Sequence, residues 1–95
     1  MPHLLPDSWY VYVLLCENDT FYVGATTDIR KRFGEHLNGQ GARWTKNNKP
    51  IRIVHHEQLA SSNEAFEREK KLKTGFGRKW IKREYEAGRL KPVEL

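Results

Sequence analysis

The sequence predicts an α+β domain: a three-stranded, largely antiparallel sheet, made of an N-terminal hairpin plus a third strand, flanked by helices in the order ββαβαα. Three observations carry this expectation. Two aromatic and β-branched runs separated by a short polar turn open the chain, a third such run follows mid-chain, and apolar residues recur at helical spacing between and after them.

Residues 1–8 are expected to form a flexible N-terminus, residues 9–88 the domain and residues 89–95 a C-terminal tail. The run WYVYVLL from Trp9 to Leu15 and the run Phe21-Tyr22-Val23 flank the polar turn Glu17-Asn18-Asp19-Thr20, which makes a hairpin. Asp28 caps a helix reaching about Asn38, with Ile29, Phe33 and Leu37 as its buried stripe and Gly39 as its stop. The glycines, amides and proline from Gly39 to Pro50 read as a loop, and Ile51 to His56 as the third strand. Ser62 or Asn63 caps a second helix to about Thr74, Gly75 and Gly77 break it, and Arg78 to Ala87 supports a third.

With 95 residues there is room for one modest core. No apolar run is long enough to span a bilayer, and Met1 to Pro6 lacks the pattern of a secretory signal. Cys16, the sole cysteine, excludes an internal disulfide and reads as a small buried hydrophobe on a strand, which makes the cytoplasm the expected location. Seventeen Lys and Arg against twelve Asp and Glu give a net charge of +5, which suits an anionic partner and, equally, solubility alone.

Side chains alternate faces along a strand, so Tyr12 and Leu14 share a face, as do Tyr22 and Gly24. An odd-length turn pairs Tyr12 with Gly24 and Leu14 with Tyr22. Tyr12 and Tyr22 are then diagonal neighbours about 7–8 Å apart at the backbone, and Gly24 leaves a gap wide enough for a phosphate. Taken alone, these tyrosines read first as good sheet residues with wet hydroxyls.

On the first helix Arg32 and His36 stack four residues apart beside the apolar stripe, where a guanidinium can grip phosphate and an imidazole can move protons. The plainer alternative is a solvated charge run, Arg30-Lys31-Arg32, with His36 at the edge. On the second helix, steps of 100° from Ala65 put Leu72 at about −20°, Glu69 at about 40° and Phe66 at about 100°, with Glu64 and Glu67 on the opposite side. A carboxylate inside an apolar arc is costly unless paired or holding a metal. Pairing with Arg32 is one option; holding Mg²⁺, which needs only one or two carboxylates, is the other.

Between Arg68 and Arg83 eight cations stand against Glu69 alone, among them Lys70, Lys73, Arg78 and Lys79. Arg43, Trp44 and Lys46 add cations around a ring that can stack on an unpaired base or, alternatively, lie as a lid over the core edge. Adjacent His55 and His56 would point to opposite faces of a strand, which argues against zinc, and no Walker loop, G-x-S-x-G elbow or H-E-x-x-H helix occurs.

Tyr10-Val11-Tyr12, then Tyr22-Val23-Gly24 after nine intervening residues, Arg32, His36, the stretch Gly39 to Thr45 and the stretch Glu67 to Lys73 together resemble the GIY-YIG nuclease superfamily. Within it they resemble the small stand-alone, single-domain bacterial branch of UPF0213-like endonucleases. The resemblance runs from Trp9 to about Arg83; Tyr10 replaces the glycine of the first triplet, and no asparagine is assigned after the glutamate.

The resemblance implies a GIY-YIG endonuclease-like fold and a hydrolase that cuts phosphodiester bonds of nucleic acid, DNA ahead of RNA, with one Mg²⁺ or Mn²⁺. It implies Tyr12, Tyr22, Arg32, His36 and Glu69 as active-site residues, Glu69 as the metal ligand, and Tyr10 and Gly24 as support. Either Tyr12 or His36 activates water. Arg43, Trp44, Lys46, Lys70, Lys73, Arg78 and Lys79 are the expected nucleic-acid contacts. DNA repair, recombination and strand turnover all suit such an enzyme. A catalytically inactive nucleic-acid-binding module of the same fold is the alternative. A monomer or weak dimer without membrane association is expected.

Overall fold

The computed structural model describes residues 8–94. The segment expected to be a flexible N-terminus therefore lies outside the described residues, apart from Ser8. The architecture is α+β, with a three-stranded antiparallel sheet in the order β2-β1-β3, where β1 is Trp9–Cys16, β2 Thr20–Thr26 and β3 Pro50–Leu59. No helix among the described residues is long and apolar enough to cross a membrane.

A single 3-10 turn, Glu17–Asp19, joins β1 to β2. Asn18 and Asp19 take left-handed φ values of 65° and 55°, which short polar side chains tolerate better than most. This three-residue turn sets the expected register, Tyr12 opposite Gly24 and Leu14 opposite Tyr22. Strand alternation then divides the core in two. Tyr10, Tyr12, Leu14 and Cys16 pack with Ile53 and with Ile29 and Phe33 of α1 (Ile29–Leu37). On the other face Val11, Val13, Val23 and Val54 meet Ala65 and Leu72 of α3 (Ser62–Leu72) and Ile81 of α4 (Gly75–Glu86).

The helices start at their capping residues and differ from expectation in detail. Asp28 accepts from the Lys31 amide at 3.1 Å. In α1 the third buried position is His36, 1% exposed, whereas Leu37 is 42% exposed. The helical repeat explains this correction: seven residues from Ile29 complete nearly two turns, while eight overshoot by about 80°. Ser61, one residue earlier than expected, caps α3 by accepting from the Glu64 amide at 3.2 Å. Phe66, placed by periodicity in the apolar arc, is half exposed and meets Trp9 edge-on at 5.2 Å.

Gly75 and Gly77 lie inside the first turn of α4 rather than before it, behind the Thr74 cap. A Cβ at Gly77 would overlap the Lys71 carbonyl and the Leu72 backbone, so this glycine lets two helix ends cross closely instead of merely stopping one. The segment read as a loop contains one helical turn, α2 (Arg43–Asn47). One turn is too short to show periodicity; it is held by burial of Thr45.

The residues read as a tail also join the fold. The His56 amide donates to the Lys91 carbonyl at 3.0 Å, the Lys91 amide donates to His55 Nδ1 at 3.0 Å, and Val93 enters the core beside Tyr10 and Tyr12. His55 Nε2 lies 2.8 Å from Glu57, which Arg68 grips through two bonds of 2.7 and 3.0 Å. This pair of histidines is thus spent on structure.

Candidate active site

Tyr12 stands in the middle strand with Gly24 directly opposite, and a Cβ on Gly24 would overlap the Tyr12 hydroxyl and Cζ. The phenol fills the gap that the sequence suggested for phosphate. Its Oη is 2.8 Å from Nε2 of His36, whose Nδ1 is 2.7 Å from the Thr45 hydroxyl. Thr45 in turn donates to the Ala42 carbonyl at 2.9 Å. All three side chains are buried.

Tyr22 is half-buried beside them, its ring 5.0 Å from His36 and 6.4 Å from Tyr12 between centroids. Trp44 stacks on the outer side of Tyr22 at 6.0 Å and 27°. Arg32 approaches the same phenol from α1, near enough to favour its ionised form, and pairs with Glu35 at 3.0 Å. Two helices on opposite faces of the sheet therefore act on one cluster, since Glu69 and Lys73 come from or just beyond α3. Glu69 is only 21% exposed, its Oε2 lies 3.0 Å from Lys73 Nζ, and that ammonium sits 5.6 Å from the centre of the Tyr22 ring. Glu69 pairs with Lys73, not with Arg32, while Glu64 and Glu67 are exposed.

This environment sets the proton affinities. Burial raises the Tyr12 pKa, helped by the Tyr22 and Glu69 charges and opposed by the Arg32 guanidinium. Burial, together with the Arg32 charge, lowers the His36 pKa to about 4. At neutral pH the pair is a neutral phenol against a neutral imidazole.

A search against protein-family models matches residues 8–85 to the family described as "GIY-YIG catalytic domain". The chain belongs to the GIY-YIG family. Within it the chain is similar to UPF0213 proteins. One from Cupriavidus necator is 42% identical over 67 residues, 70% of this chain and 73% of the relative. Another, from Staphylococcus saprophyticus, is 38% identical over 76 residues, 80% and 93% of the two chains. A solution NMR structure of a UPF0213 protein from Bacillus halodurans shares 32% identity and covers 78% of this chain and 81% of its own, with a TM-score of 0.49.

The GIY-YIG family implies a divalent ion, and the donor set of this member bears on the fit. Among the described residues no group of three or more His, Cys, Asp and Glu could hold a metal. Glu69 supplies one partly buried carboxylate, paired with Lys73 through Oε2 at 3.0 Å. One such ligand suits Mg²⁺, which keeps several waters and completes its shell with substrate phosphate.

Of the other residues singled out in this GIY-YIG chain, Tyr10 is a core side chain facing His56, its ring 6.4 Å away. Arg43, Lys46, Lys70, Arg78 and Lys79 are exposed. Arg78 and Trp44 border a cleft of about 490 Å³ floored by Leu15, Phe21, Val23 and Ile81, which shares only Trp44 with the tyrosine cluster. Sequence reasoning missed Thr45 and Glu35, and took Lys73 only as a nucleic-acid contact, without its pairing to Glu69. The only sequence sign of Thr45's place was its position in the family-like stretch from Gly39 to Thr45.

Proposed function

We propose that this GIY-YIG protein is an endonuclease that hydrolyses phosphodiester bonds of DNA with one Mg²⁺ or Mn²⁺ held by Glu69. The observation that carries the reading is the 2.8 Å contact between Tyr12 and His36 at the centre of a ring formed by Tyr22, Arg32 and Glu69. When bound, the ion would supply positive charge to stabilise the phosphate as negative charge builds on it.

The chain's own groups divide the remaining work. Tyr12 and His36 act in series: Tyr12 takes a proton from the attacking water as its own proton passes to the imidazole. A buried phenol is a poor base unless its proton has somewhere to go, and His36 is the acceptor in contact with it. As the water oxygen bonds to phosphorus, the bond to the leaving oxygen breaks and that oxygen takes a proton from solvent. Arg32 and the Tyr22 hydroxyl stabilise charge gathering on the phosphate. Arg43, Trp44 and Lys46 grip the strand beside the cut, and Lys70, Lys73, Arg78 and Lys79 hold its flanks by charge. Repair, recombination and strand turnover in the cytoplasm are roles consistent with this chemistry.

The test is cleavage of labelled single- and double-stranded DNA, with RNA alongside, in Mg²⁺ or Mn²⁺, comparing the protein with Glu69→Ala. A metal contribution of several kcal/mol corresponds to a loss of about a hundredfold or more in the variant. Equal cleavage by both proteins refutes the site. Salt-sensitive binding without cleavage by either identifies a catalytically inactive binding module instead.

A further inference from the structure

Thr45 is a buried hydroxyl that the proposed chemistry leaves without a role. The direction of its hydrogen bonds follows by elimination. The Ala42 carbonyl can only accept, so the hydroxyl proton of Thr45 lies on that 2.9 Å bond. A hydroxyl has one proton, so at the 2.7 Å contact with His36 Nδ1 the Thr45 oxygen accepts, and Nδ1 carries the hydrogen. A neutral imidazole has one N–H. Nε2 is therefore a lone pair, and the Tyr12 hydroxyl 2.8 Å away donates to it.

One directed chain results: Tyr12 O–H to His36 Nε2, His36 Nδ1–H to Thr45, Thr45 O–H to the Ala42 carbonyl. Turning the Thr45 proton toward His36 instead would leave two oxygens facing each other at 2.9 Å with no hydrogen between them, even though the Ala42 carbonyl also accepts from the Lys46 amide at 3.2 Å. The backbone is shaped to the same end. A Cβ at Gly41 would overlap His36 Nδ1, so the bare backbone of Gly41 lets the segment leading into α2 close on the imidazole.

We propose that Thr45 is a positioning residue, which fixes His36 in the Nδ1–H tautomer and so leaves Nε2 free to take the Tyr12 proton. The tautomer rests on hydrogen-bond direction alone; its effect on rate rests on the nuclease reading above. On this account α2 is part of the active site, although none of its residues needs to touch the scissile phosphate for this purpose.

The experiment is ¹⁵N NMR of the His36 ring with cleavage rates measured on the wild type, Thr45→Ser and Thr45→Val. The wild type and Thr45→Ser should show a protonated Nδ1 and an unprotonated Nε2, and Thr45→Ser should keep a rate within about threefold, the hydroxyl being retained. Thr45→Val, of similar shape, should shift the proton toward Nε2 and lose about a hundredfold in rate, the scale of a general base. A merely structural Thr45 would lower the melting temperature without moving the tautomer. Protonated Nε2 in the wild type overturns the proposal whatever the variants do, as does Thr45→Val with wild-type tautomer and rate. A wild type that cuts nothing sinks the nuclease reading and the catalytic role of Thr45 with it, while the NMR still decides the hydrogen-bond direction.

Discussion

Mild acid should destabilise this domain through one imidazole. His36 is buried, and burial with the Arg32 charge lowers its pKa from 6.5 to about 4. As pH falls through 6.5 the unfolded chain takes up a proton that the folded one refuses until about pH 4. The contribution is therefore complete above pH 6.5 and is lost progressively down to about pH 4. The full displacement corresponds to about 3 kcal/mol, of which about 2 kcal/mol is lost by pH 5. Domains of this kind are stable by only about 5–15 kcal/mol, so the loss is measurable. Urea titrations followed by tryptophan fluorescence at pH 7.5 and pH 5 would read it, with His36→Gln as the control. The variant should be less stable at neutral pH and show a much shallower pH slope. Glu57 does not interfere: burial raises its pKa, but hydrogen bonds from His55 and Arg68 outweigh this and hold it at about 2, so its contribution fades only below pH 4.5. Identical slopes for wild type and variant would refute the reasoning.

Two further outcomes follow from the geometry around the cluster. Gly24→Ala must push the Tyr12 phenol off His36, combining overpacking of about 1–3 kcal/mol with about 1 kcal/mol for the hydrogen bond, and a thermal melt should drop by about 10 °C or more; an unchanged melting temperature would contradict the close approach. Replacing Arg43 and Lys46 together by alanine should weaken DNA binding and flatten its log–log salt dependence by about 1–2, each cation counting for about one phosphate, whereas an unaltered slope would remove α2 from the interface.

The sheet was legible because its determinants are local. WYVYVLL and Phe21-Tyr22-Val23 alternate cleanly, and an odd turn dictates which tyrosine faces which glycine. Glu69 was legible as an exception to helical patterning, and it is the partly buried glutamate of α3. What stayed hidden depends on partners distant in the chain. Leu37 seemed the natural core residue because it is apolar, yet His36 is the one buried, since Tyr12 and Thr45 satisfy both of its nitrogens. The turn containing Thr45 has no periodicity to read, and its polar composition suggested a loop. Gly75 and Gly77 were read as breakers because glycine's low helix propensity is visible in sequence and the helix crossing that requires Gly77 is not.

The bonds between Lys91 and the two histidines have a bearing on solubility. An outer strand of a sheet offers unpaired amides to any neighbouring chain, and such templates are where β-proteins begin to stick together. On β3 the amide of His56 is already engaged by the chain's own last stretch, and Val93 fastens that stretch to the interior. A form shortened before Lys91 would regain an open margin and lose a plug from its core at the same stroke.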